Sequence, residues 1–76
     1  MRLTPDQRQA VILTAALRIA RDRGLASVTH GGVAKRCAIA TSEKTVRHYF
    51  ASRTVLWQAV VSADVTFAEQ ARELGL

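Results

Sequence analysis

Cysteine occurs once in this chain, at Cys37, so no disulfide can form within it. One thiol and two histidines far apart in sequence, His30 and His48, offer no metal-ligand spacing, and neither a metal nor a cofactor is expected. Long apolar runs are missing too. The best is AVILTAAL, from Ala10 to Leu17, which loosely imitates a secretory signal behind Arg2. Asp6, Gln7, Arg8 and Gln9 interrupt it on one side and Arg18 ends it on the other, so neither a leader nor a membrane span is expected, and the expected compartment is a reducing cytoplasm. No segment alternates apolar and polar residues as a half-buried strand would, and no repeat or low-complexity stretch occurs. Acidic residues are few, six against eleven lysines and arginines.

What is present suits one small helical domain over residues 1–76. The hydrophobic content of 49% is that of a globular protein rather than a disordered tail, but a chain of 76 residues buries only about 60% of its unfolded surface. The net charge of +5 is unevenly placed. From Arg18 to Arg53 eight basic residues face only Asp22 and Glu43, a local balance of +6, whereas the stretch from Thr54 onward carries −2. A polyanion is expected to dock on the central third.

Apolar spacing and capping residues predict four helices, at about 5–23, 30–37, 42–50 and 53–74. Thr4, Pro5 and Gln7 form a capping box ahead of the first, in which Ile12, Ala16, Ile19 and Arg23 recur on one stripe until Gly24 stops it. Leu25 and Val28 anchor the loop, and Thr29 caps the second helix. Gly31 and Gly32 in its first turn cost about 1 kcal/mol each relative to alanine if fully helical. Either bare backbone N–H groups approach a phosphate there, or the end frays. Cys37 is read as core. Ala38 to Thr41 is the turn, and Thr41 or Ser42 caps the third helix, with Val46, Tyr49 and Phe50 inward and Lys44, Arg47 and His48 outward. That outward set suits the DNA major groove.

The fourth helix carries two apolar stripes. Leu56, Val60, Ala63, Phe67, Ala71 and Leu74 form one, directed at the bundle; Trp57, Val61, Val65 and Ala68 form the other. Two stripes imply two partners, so the second set is assigned to a homodimer or partner interface, with a helix projecting from a monomer as the alternative.

The strings ILTAALRIARDRG (Ile12 to Gly24), VT (Val28-Thr29), VA (Val33-Ala34) and TVRHYFASR (Thr45 to Arg53) resemble, in this order, the N-terminal DNA-binding domain of TetR-family transcriptional regulators. The resemblance covers about Arg8 to Ala59. It implies a homeodomain-like helix-turn-helix core of three helices plus a longer fourth, in a bacterial or phage-infected bacterial cell. It implies base contacts from Lys44, Thr45 and Arg47, with His48 as a further base or phosphate contact. Phosphate contacts are implied at Thr29, Tyr49 and Arg53, with the Gly31 N–H as a backbone donor. These roles agree with the chemistry of Arg and Lys at guanine, Thr at a thymine methyl, and Tyr or Arg at the backbone. Tyr49 borders the buried face, so its ring can be core while its hydroxyl reaches out. Glu43 can accept from cytosine or simply favour the helix N-terminus.

Three departures from the family pattern stand out. The segment from Ala34 to Thr45 is two residues longer, Gly31 stands where a long polar side chain is usual, and the family's larger inducer-binding domain has no counterpart, so no small-molecule inducer is expected. The leading expectation is a sequence-specific double-stranded DNA-binding regulator, a repressor, acting as a homodimer on a palindrome. The alternative is a protein-interaction adaptor docking through the helix at 53–74, anchored by Trp57. An enzyme is not expected: no nucleophile has a base beside it, and no useful pocket fits in so short a chain.

Overall fold

Thr4 begins the first helix in the computed structural model, which describes residues 2–76. Its hydroxyl accepts from Gln7 N at 3.1 Å while Gln7 Oε1 accepts from Thr4 N at 2.9 Å, and Pro5 occupies the first turn, where its missing N–H costs nothing. Helix α1 (Pro5–Arg23) ends at Gly24, whose φ of 92° belongs to glycine. A 3₁₀ turn, Leu25–Ser27, follows, and Leu25 and Val28 are fully buried. Then come α2 (His30–Arg36), α3 (Glu43–Tyr49), α4 (Arg53–Ala63), a second 3₁₀ turn (Val65–Phe67) and α5 (Ala68–Glu73). The protein is all-helical, with no strand among the described residues.

Each of α2, α3 and α4 is started by a hydroxyl. Thr29, Ser42 and Ser52 accept from Gly32 N, Thr45 N and Val55 N at 3.0, 3.2 and 3.1 Å. The two short helices end one residue sooner than spacing predicts, because Cys37 and Phe50 have left helical geometry and stand as caps. Cys37 is only partly buried against the core; burial still pushes its thiol up from the ordinary value.

One core joins all the elements. Ile12, Ala16 and Ile19 of α1 meet Val33 of α2, Val46 and Phe50 at α3, Leu56, Trp57 and Val60 of α4, and Phe67 and Ala71 from the last segment. Arg23, placed on the buried stripe by its spacing, is exposed. Helix α2 packs on α1 on one side and on α3 on the other, while α4 lies against α1. No helix among those described is long and apolar enough to cross a membrane.

The continuous helix expected over 53–74 is corrected by the structure. Asp64 turns to φ −146°, ψ 100°, and its carboxylate accepts from Thr66 N at 3.1 Å and from Thr66 Oγ1 at 2.7 Å. These bonds begin a new helical turn, as short polar side chains do when they compete with the i→i−4 ladder. The break lets α5 fold back onto the α1–α2 connection, where Gln70 Oε1 accepts from Leu25 N at 2.9 Å.

The second apolar stripe dissolves with the helix. Trp57 is core rather than interface, and its Nε1–H donates to Val28 O at 2.8 Å. Val65 lies beyond the break and is 75% exposed, while Val61 and Ala68 line an open groove between α4 and α5. In the first stripe Ala63 and Leu74 are exposed, and the other four members are buried.

Candidate nucleic-acid interface

Helix α3 has one wet side and one dry side. Val46 is fully buried and Phe50 nearly so, which fixes the rotation of the helix. Residues three and four apart share a helical face, so Lys44, Arg47 and His48 emerge together on the opposite side, all exposed. Thr45 is half-buried at the edge, its Oγ1 lying 3.1 Å from Ser42 Oγ. Tyr49 is also half-buried and packs against the core, and the His48 ring meets it edge-on with 5.2 Å between centroids.

A polar anchor also supports this helix from below. His30 is the only buried polar or charged residue among those described, and its Nε2–H donates to the carbonyl of Phe50 at 2.7 Å. The start of α2 is thereby tied to the end of α3. Such a bond contributes about 1 kcal/mol net, and breaking it strands a buried carbonyl at a cost of about 1–3 kcal/mol.

The remaining sequence-predicted residues surround α3 unequally. Arg53, at the start of α4, is exposed with its guanidinium carbon 5.8 Å from the centre of the Trp57 ring. Thr29 is half-buried, and its oxygen accepts from Gly32 N. Gly31 faces α3: a Cβ there would stand 2.9 Å from Glu43 Oε1. The Glu43 carboxylate thus lies beside Gly31, the residue expected to offer a bare backbone N–H.

Ion pairs use up the acids of the basic region. Asp22 pairs with Arg36 at 3.3 Å, and Glu43 Oε2 accepts from Arg47 Nε at 3.2 Å. Asp64 takes Arg21 at 3.4 Å; the Thr66 hydroxyl and N–H, with Arg21 in support, hold its carboxyl below the usual value. Among the described residues Arg18, Arg23, Lys35, Lys44 and Arg53 make no ion pair. The cations therefore outlast the local acids, and the field across α1, α2 and α3 stays positive.

The connection between α2 and α3 runs over six residues, Cys37 to Ser42, and holds an anomaly. Thr41 Oγ1 is buried there without a hydrogen-bond partner, in the crevice between the two helices. Sequence reasoning did not find the His30–Phe50 bond, the Trp57–Val28 bond or the Glu43–Arg47 pair. Only the last had a local signal, the i, i+4 spacing of opposite charges. Comparisons with models of known families, with curated proteins and with solved structures gave no match to this chain.

Proposed function

We propose that this chain is a sequence-specific double-stranded DNA-binding regulator of transcription, acting as a repressor, in which α2, its turn and α3 serve as a helix-turn-helix. In this reading α3 lies in the major groove. The observation that carries it is the division of α3: Lys44, Arg47 and His48 are exposed on one side, while Val46 and Phe50 are locked into the core on the other. The resemblance to TetR-family DNA-binding domains supports the same assignment for the stretch from about Arg8 to Ala59.

Arg47 donates to guanine O6 and N7, Lys44 and His48 reach neighbouring base edges, and the Thr45 methyl meets thymine. Thr29, Tyr49 and Arg53 hold phosphates on either side, fixing the register without reading sequence. A protein bound at a promoter in this way blocks polymerase by occupancy. The adaptor reading loses its anchor, since the Trp57 ring is buried and its N–H is already in use.

The test is equilibrium binding to duplex DNA across a salt series. The logarithm of the affinity falls linearly with the logarithm of salt, with a slope of about −0.9 per phosphate neutralised. Arg53→Ala is expected to make that slope shallower by about one. Duplexes selected from a random pool report the site as well: two copies give a palindrome with half-sites about 10 bp apart, and one copy gives a single short site. Affinity that ignores salt, with no sequence recovered, contradicts the proposal.

A further inference from the structure

Glu43 stands at an unusual place for an acid, on the outward helix of the most basic part of the chain, and its two carboxylate oxygens have different surroundings. Oε2 accepts from Arg47 Nε at 3.2 Å. Oε1 sits over the backbone of Gly31, so close that a Cβ on Gly31 would lie 2.9 Å away. The carboxylate is thus held in a shallow seat between α2 and α3 that exists because residue 31 has no side chain. Arg47 is bound at Nε alone; among the described residues nothing in the protein pairs its two terminal nitrogens, and the side chain is 54% exposed.

We infer that Glu43 is a positioning residue for Arg47, that Gly31 provides its seat, and that together they make Arg47 a guanine reader. The inference rests on the proposal that α3 enters the major groove. A guanidinium can meet guanine side-on, through Nε and one terminal nitrogen, or end-on, through both terminal nitrogens. Occupation of Nε by Glu43 removes the first mode and presents the second. The acid also repels phosphates, lowering the affinity for DNA of any sequence while sparing the site at which Arg47 finds O6 and N7. Glu43 therefore exchanges affinity for discrimination and makes no base contact of its own.

The experiment selects duplexes from a random pool with the wild-type chain and with Arg47→Ala, Glu43→Ala, Glu43→Gln and Gly31→Ala. Binding to the selected duplex and its single-base variants is then measured. A guanine preference lost in Arg47→Ala marks the base that Arg47 reads. At that base Glu43→Ala is expected to lower discrimination by about threefold to fivefold, the effect of an exposed oriented pair, while affinity for unrelated duplex rises. Glu43→Gln keeps an acceptor for Nε and is expected to restore most of the discrimination while retaining the higher unspecific affinity. Gly31→Ala separates positioning from stability: alanine favours a helix and should leave the melting temperature unchanged or raised, yet its Cβ displaces the carboxylate and lowers discrimination.

If Glu43→Ala changes only overall affinity and leaves the guanine preference intact, the inference is overturned while the DNA-binding proposal stands. The inference also fails if Arg47→Ala retains the preference. Failure of the wild-type chain to select any duplex removes both.

Discussion

The two faces of α3 are built by opposite rules. On the inner face two buried ring N–H groups are satisfied by backbone carbonyls: His30 donates to Phe50 O at 2.7 Å, and Trp57 donates to Val28 O at 2.8 Å. On the outer face Lys44 and His48 have no ion-pair partner among the described residues, and Arg47 has one at a single nitrogen. Folding free energy accumulates on the inner face, where apolar area and satisfied hydrogen bonds coincide, and little of it depends on the outer one. A helix of seven residues has marginal stability of its own, so the inner face is what holds α3 in shape.

The sharpest way to break this contrast is to truncate Trp57. Trp57→Ala removes a buried ring, its bond to Val28 and the surface on which Arg53 rests, and is expected to cost about 3–5 kcal/mol in urea or thermal unfolding. Retained stability would return Trp57 to the surface role its sequence spacing suggested. His30→Ala comes next, at about 1–3 kcal/mol, because it leaves the Phe50 carbonyl buried and unpaired. A change near zero would mean that the start of α2 and the end of α3 are not tied together.

Asp64 tests the other end of the molecule by pH. Its folded value lies below the ordinary carboxylate value of about 3.9, so the stability it contributes is complete above that value and is lost as the pH falls through the folded one. Asp64→Asn is therefore expected to be less stable than the wild type near neutrality, with the difference closing as acid protonates Asp64 in the wild type. Parallel stability curves from pH 6 down to pH 2 would show that the Thr66 and Arg21 contacts add nothing. The smallest stability effect belongs to the outer face: Lys44→Ala should lie within about 0.5 kcal/mol of the wild type by thermal melting.

How far these faces could be read from the sequence differs with the kind of signal. Capping hydroxyls at Thr4 and Thr29, and the outward set Lys44, Arg47 and His48, are local patterns that the structure places as spacing predicts, and of the two candidates Thr41 and Ser42 it is Ser42 that caps α3. The break at Asp64 has a local signal, an acid two residues before Thr66, but the apolar repeat running through it favours a continuous helix, and the strength of the Asp64–Thr66 bonds decides the matter. Trp57 and His30 depend on contacts 29 and 20 residues away, and no spacing rule reaches that far. The glycines illustrate a third case. For Gly31 the sequence offers a phosphate approach or a frayed end, and the neighbour the structure shows, the carboxylate of Glu43, lies across the turn where local spacing does not reach.

The outward role proposed for α3 requires that its wet face meet DNA. Duplex binding by the wild-type chain, set beside that of the Lys44→Ala, Arg47→Ala double variant, measures this directly. Matching melting curves are expected, with the variant losing sequence-selective binding while the salt slope, set by the phosphate contacts at Thr29, Tyr49 and Arg53, stays close to that of the wild type. Equal affinity and equal selectivity for the two proteins would contradict a base-reading role for this face.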